Sequence, residues 1–140
     1  MCIRDSAALV DAGVPVHPGP AALAVAQDKL VMRERLTALG VPVPDWAAVR
    51  DEHELGAFLA DHGGRAVVKT ARGGYDGKGV RVVDAADGAD DWFEAGGPLL
   101  IEELVDFRRE LSALVARSPS GQAAAYPVVA STQLLSLIHI

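Results

Sequence analysis

The sequence predicts an α/β or α+β fold, on three observations. Apolar strand-like runs alternate with helical stretches along the chain. Glycine or proline punctuates most of the junctions between them. Half of the 140 residues are hydrophobic, enough to build a core at a length that suits about one domain.

The elements follow in order. Residues 1–6, MCIRDS, form no clear element. Ala7 to Ala12 reads as the end of a helix, with Gly13 as its C′ residue. Val14 to His17 reads as a short strand, and Pro18-Gly19-Pro20 as a turn in which Pro20 starts the next helix. Ala21 to Ala26 is a short helix. Asp28 to Leu39 is a longer one, stopped by Gly40, with Pro42 and Pro44 holding the chain extended. Val41 to Pro44 is the linker candidate. Trp46 to Val49 is a strand. Asp51 with Glu54 fits a capping box, opening a helix to about His62 with Leu55, Phe58 and Leu59 on one face. His53 and His62 read as exposed helix residues, and His17 as a strand end; none is assigned chemistry. Arg65 to Thr70 and Val80 to Val83 are strands, and Asp84 to Ala95 a helix carrying Trp92 and Phe93. Gly96-Gly97-Pro98 breaks it before a strand from Leu99 to Val105. Arg109 to Ala116 and Gln122 to Val129 read as an antiparallel hairpin around the Ser118–Gly121 turn. The tail, LLSLIHI, can pair as a strand; unpaired, it is an exposed apolar edge.

The formal charge of −6 and a pI near 5.1 disfavour a nucleic-acid footprint. The one cysteine, Cys2, has no internal disulfide partner, and no zinc spacing is present. No apolar run approaches a membrane span, and there is no convincing signal peptide. A soluble cytoplasmic protein is expected.

The chain is organised around VVKTARGGYDGKGV, residues 67–80. Gly73, Gly74, Gly77 and Gly79 crowd a loop between two strands, with Lys69 and Lys78 beside them. Glycine allows positive φ and close backbone approach, and successive free N–H groups form a concave anion site. A phosphate chain is the expected guest. A plain β-hairpin would need one or two glycines and no flanking lysines. The Walker pattern is excluded, because Gly79 follows Gly-Lys and a strand follows that. The Rossmann fingerprint is excluded because no helix follows the glycines. A loop of this kind lying over phosphates occurs in ATP-grasp enzymes and protein kinases, and the kinase signatures are absent. Glu102 and Glu103 interrupt an apolar strand, which leaves three uses open: metal binding, acid–base work, or one exposed and one structural carboxylate.

The stretch GGYDGKG, preceded by Val-Lys-Thr, closely resembles N5-carboxyaminoimidazole ribonucleotide synthetase, the ATP-grasp carboxylating family of purine biosynthesis. Residues 24–46, 101–122 and 124–129 extend the resemblance over roughly residues 7 to 133. It implies a partial ATP-grasp fold over residues 20–133, preceded in residues 1–19 by the end of a Rossmann-like N-terminal (preATP-grasp) domain. Residues 1–6 and 134–140 do not match the family.

The implied reaction phosphorylates bicarbonate with ATP to carboxyphosphate, then carboxylates 5-aminoimidazole ribonucleotide, releasing ADP and phosphate. The resemblance puts Lys29 and Lys69 on the phosphates. Gly74, Tyr75, Asp76, Gly77, Lys78, Gly79 and Val80 close over them. Glu102, Glu103, Leu104 and Val105 form the adenine hinge, chiefly through backbone groups, and Glu110 accepts from the ribose hydroxyls. Gln133 stands where the family has a His; Ala130 stands where it has a carboxylate, which puts that acidic role in doubt. No catalytic residue is assigned, and no metal ligand: the Mg²⁺ carboxylate and Asn are expected beyond the end of the chain. So is much of the ribonucleotide and bicarbonate site, and the family's N-terminal glycine loop is absent, so the 140 residues are expected to be incompetent in turnover. A homodimer is implied as well. The alternatives are another ATP-grasp ligase or carboxylase, such as a biotin carboxylase or a formate-using purine enzyme, or a non-catalytic nucleotide-binding fragment.

Overall fold

The computed structural model describes residues 3–74, 78–134 and 137–139. The chain divides into two compact units, residues 1–104 and 105–140.

The first unit opens with helix α1, Ile3–Asp11, which begins inside the segment expected to carry no element. It closes as expected on Gly13, at φ +79°. The N–H groups of Gly13 and Val14 return to the carbonyls of Val10 and Leu9, satisfying the last turn. Val14 to His17 forms no strand: the described strands offer it no partner, and an unpaired segment leaves its polar groups to solvent. Helix α2, Pro20–Gln27, carries its proline in the first turn. Helix α3, Lys29–Ala38, is capped by Asp28, whose Oδ1 accepts from the Leu30 and Val31 N–H groups at 3.1 and 3.2 Å.

Four antiparallel strands follow: β1 (Trp46–Val49), β2 (Ala66–Thr70), β3 (Val80–Val83) and β4 (Leu99–Glu103), in the order β1-β4-β2-β3. Helix α4, Glu52–Asp61, covers one face. Asp51 Oδ1 accepts from the Glu54 N–H at 2.8 Å, and the Glu54 carboxylate reaches back to the Arg50 N–H at 2.7 Å. The return bond of the capping box thus lands one residue early. Val68, Leu99 and Ile101 pack with Leu55, Phe58 and Leu59 as the core. Each fully buried side chain of that size contributes about 1.5–3 kcal/mol.

His62 is a correction. Its ring stacks on Phe58 with centroids 3.8 Å apart, and its Nδ1 lies 2.8 Å from the Phe58 carbonyl. It closes α4 as a cap, half-buried. The helix expected over Asp84–Ala95 is also broken, into a 3₁₀ turn, Ala86–Ala89, and a short α5, Asp90–Glu94. Gly88 sits so close to β3 that a Cβ there would lie 2.9 Å from Val83 Cγ1. Arg81 ties the break together, donating to the Gly88 carbonyl and the Asp91 carboxylate, with its guanidinium 4.3 Å over the Trp92 ring.

Among the described residues the second unit holds five short strands: β5 (Glu110–Ser112), β6 (Val115–Arg117), β7 (Ala123–Ala125), β8 (Val129–Leu134) and β9 (Leu137–His139). The expected hairpin is there in two rungs, β6 with β7 and β5 with β8. Pro127 lies in the gap on the returning side, where its missing N–H does no harm. The tail takes the strand alternative: β9 pairs antiparallel with β8, Leu137 opposite Leu134.

Candidate functional site

Strand alternation gives the four-stranded sheet a second face. There Lys69 stands opposite Leu100, and Val67 opposite Glu102. A cleft of about 720 Å³ opens on this face, between helices α2 and α3 and the start of the glycine loop. That volume is in the usual range for small-ligand sites, about 300–1,000 Å³. Leu100, Val80 and Met32 supply apolar lining, and Lys29, Arg33, Lys69 and Arg72 bring positive charge.

Two carboxylates hold three of these four cations. Glu102 is 3% exposed and divides its oxygens: Arg33 Nε and Nη2 meet Oε1, and Lys69 Nζ meets Oε2. Burial pushes the Glu102 carboxyl up, but the bonds from Arg33 and Lys69 outweigh it and hold it below the usual glutamate range. Asp28 accepts from Arg72 Nε at 2.8 Å while capping α3. Burial again pushes its carboxyl up, and Arg72 with the Leu30 and Val31 N–H groups brings it below the aspartate range.

Lys29 donates from Nζ to the Thr70 and Gly73 carbonyls, each at 3.0 Å, and its own N–H reaches the Ala71 carbonyl at 2.8 Å. The first turn of α3 is thereby fastened to the entrance of the glycine loop. Burial, then the neighbouring charge of Lys69, lowers its pKa below the ordinary lysine value. Among these side chains the cations outnumber the carboxylates, so the cleft attracts anions.

The loop has a closed neck. The Thr70 N–H donates to the Gly79 carbonyl at 3.0 Å, and Gly74 and Gly79 take φ of +76° and +78°. A Cβ on Gly74 would lie 2.6 Å from the Lys78 carbonyl oxygen, and one on Gly79 would lie 2.5 Å from Thr70 Oγ1. These glycines are there for close approach as well as for torsion.

The site residues expected from sequence are placed unevenly. Lys29, Lys69, Gly74 and Val80 all line the cleft, and Gly79 closes its neck. Lys78 precedes it in the turn into β3. Tyr75, Asp76 and Gly77 lie outside the described residues. Glu102 and Glu103 resolve into one structural carboxylate and one half-buried side chain. The strand ends at Glu103 and does not run to Val105: the Glu103 N–H, donating to the Asp45 carbonyl at 2.9 Å, continues the β1–β4 register by one residue, and among the described residues no strand pairs with Leu104 or Val105. Leu104 and Val105 are exposed non-strand residues at the end of the first unit and the start of the second. Glu110 begins β5 in the second unit, exposed and opposite Ser131. Gln133 is on β8 opposite Ile138, and its side chain lies outside the described residues. Among the described residues no three Asp, Glu, His or Cys side chains gather as a metal site, and no helix is long and apolar enough to cross a membrane.

Asp28, Arg33, Thr70 and Arg72 complete the site and were not singled out from sequence. Arg33 carried a usable signal, since it lies four residues after Lys29 on one helix face. Arg72 stands inside the glycine stretch itself.

An antiparallel pair of strands whose glycine neck opens on a cationic cleft defines an anion-binding module of the strand–loop–strand type. The ATP-grasp domain family matches residues 34–139, and the chain belongs to that family. It is 56% identical over 129 residues to the N5-carboxyaminoimidazole ribonucleotide synthase of Mycobacterium bovis, covering 89% of this chain and 30% of that protein. The N5-carboxyaminoimidazole ribonucleotide synthetase of Thermus thermophilus superimposes with a TM-score of 0.81 at 31% identity, over 97% of this chain and 36% of that one. The carboxyaminoimidazole ribonucleotide synthase of Aspergillus clavatus, solved with ATP, gives a TM-score of 0.81 at 26% identity, over 96% of this chain and 36% of that one. The chain therefore spans about 30% of the length of the curated relatives it matches.

Proposed function

We propose that this chain carries the phosphate-binding part of the ATP site of an ATP-dependent carboxylase that makes N5-carboxyaminoimidazole ribonucleotide. The observation that carries the reading is the cleft itself, where Lys29 and Lys69 converge beside the glycine neck with the buried Glu102 behind them. The names of the relatives supply the substrate class, and the ATP complex of the Aspergillus clavatus enzyme supplies the nucleotide. ATP would enter with its phosphates toward Lys29, Lys69 and Gly74, under the loop of residues 74–80. Adenine would lie along Glu103 to Val105 and ribose near Glu110, and Gln133 would serve as a neutral hydrogen-bonding residue. In this reading residues 20–133 belong to the ATP-grasp domain and residues 1–19 end the domain before it.

The chemistry asked of these residues is electrostatic. A γ-phosphoryl group moving from ATP to bicarbonate needs its charge offset and its oxygens fixed, and cations already held in place do this without reorganising. Release of phosphate from the resulting carboxyphosphate drives carboxylation of the exocyclic amine of 5-aminoimidazole ribonucleotide. Mg²⁺ would further offset phosphate charge, but the described residues do not fit a metal site, and no residue of this chain is assigned to it. A homodimer is part of the same reading.

The test is calorimetric titration of the chain with ATP, beside Lys69→Ala. Saturable binding that the variant loses by tenfold or more, about 1.4 kcal/mol, supports the assignment. Binding that Lys69→Ala leaves intact, or none by a cooperatively folded chain, overturns it.

A further inference from the structure

Resting on that nucleotide reading, we propose that Arg33 is a positioning residue for the triphosphate: it occupies one oxygen of Glu102 so that the other oxygen fixes the Lys69 ammonium at the cleft wall. Three observations carry this. The Glu102 side chain is 4% exposed, so its oxygens depend on protein partners. Arg33 brings two nitrogens to Oε1, and Lys69 brings one to Oε2, so the carboxylate is shared without overlap. The Arg33 and Lys69 side chains are 19% and 23% exposed, both lining the same cleft, so neither is sealed into the core.

The arrangement is rigid on the arginine side. Arg33 stands on the second turn of α3, whose first turn is fastened by Asp28 to Arg72 and by Lys29 to the loop carbonyls. A planar guanidinium approaching with two donors fixes an oxygen in a way that a single ammonium does not. With Arg33 truncated, the undivided charge of Glu102 would fall on Lys69. The ammonium would be drawn back to the carboxylate, and a phosphate would have to compete for it.

The experiment compares ATP and adenosine binding to the whole chain in wild type, Arg33→Met, Arg33→Lys, Glu102→Gln and the Arg33→Met/Glu102→Gln double variant. Arg33→Met is expected to weaken ATP about tenfold, a loss near 1.4 kcal/mol, and to leave adenosine unchanged. Arg33→Lys should fall between it and wild type. In the Glu102→Gln background the further loss from Arg33→Met should shrink to less than about threefold. Equal losses in both backgrounds would make Arg33 a direct phosphate contact and overturn the proposal. Equal losses for ATP and adenosine would make it merely structural, with the same result.

A second readout needs no nucleotide. Trace acetylation of Lys69 by acetic anhydride, read by mass spectrometry, should slow severalfold in Arg33→Met, because the carboxylate then grips the ammonium alone. An unchanged rate overturns the positioning role. Should the wild-type chain bind no ATP while Lys69 acetylation still slows, the nucleotide reading fails and the linkage of Arg33 to Lys69 stands.

Discussion

The glycine neck gives the sharpest quantitative test, through Gly79→Ala. The new methyl meets two separable penalties. Gly79 sits at φ +78°, where an L side chain costs about 1–2 kcal/mol. Its Cβ would also lie 2.5 Å from Thr70 Oγ1, with Gly74 Cα at 3.2 Å. Thr70 cannot simply retreat, because its N–H is bonded to the Gly79 carbonyl at 3.0 Å and its side chain is β-branched. An off-rotamer shift of Thr70 adds about 0.5–1.5 kcal/mol. The total of about 1.5–3.5 kcal/mol corresponds to a fall in melting temperature of about 6–28 °C for a unit of this size. Gly63→Ala is the matched control: φ is +71° and nothing lies within 4 Å of the added Cβ, so only the torsional part applies. Thermal unfolding followed by circular dichroism should rank wild type above Gly63→Ala, and that above Gly79→Ala. In a Thr70→Ala background the Gly79→Ala penalty should fall toward the Gly63→Ala level, leaving only the contact with Gly74 Cα at 3.2 Å. If Gly79→Ala and Gly63→Ala cost the same, or if Thr70→Ala fails to relieve the excess, the steric reading of the neck is wrong.

Two predictions concern protons. The Glu102 carboxyl is held below its ordinary value in the folded chain, so the unfolded chain binds the proton first as pH falls. Its contribution to stability should be complete above the ordinary glutamate value, about 4.3, and be lost progressively below it. Urea midpoints measured down the acid limb should flatten in Glu102→Gln; an unchanged limb would show that the pair with Arg33 and Lys69 is not the source. The Lys29 ammonium has a lowered pKa, and an anion favours its charged form. Tripolyphosphate affinity should therefore decline with rising pH before the ordinary lysine value of about 10.4 is reached, and Lys29→Arg, which stays charged, should remove that early decline.

Local elements were legible in the sequence wherever a short-range signal decides them. Trp46–Val49 and Val80–Val83 are strands over the residues that their apolar runs indicated. Pro20, Gly40 and the Asp51–Glu54 pair mark helix ends as their chemistry requires. What failed depended on partners distant in the chain. Val14 to His17 has strand composition but no strand beside it. The helix over Asp84–Ala95 breaks where Gly88 meets Val83, a packing event that periodicity does not report. His62 looked solvent-facing until Phe58, one turn earlier, took its ring. Lys69 and the glycines stood out by residue type and Lys29 by family resemblance alone, and the fold brings Lys29, Lys69 and Gly74 to one cleft. Arg33 and the true use of Glu102 did not stand out, because they lie 69 residues apart and meet only through the sheet.

That meeting rests on the register of β4. Leu99 and Ile101 point to the core under α4, while Leu100 and Glu102 point to the cleft. One five-residue strand therefore supplies both the apolar burial that holds the sheet and the carboxylate that arranges the cations. A slip of one residue would send Glu102 into the core and Ile101 into the cleft, exchanging every side chain of the strand between faces. Leucine and isoleucine on the α4 face oppose that slip hydrophobically, and the two cations waiting for Glu102 oppose it electrostatically. The strand's two faces thus enforce the same register. The site inherits its geometry from the core: Lys69 can be aimed by Glu102 because Leu99 and Ile101 do not allow β4 to move.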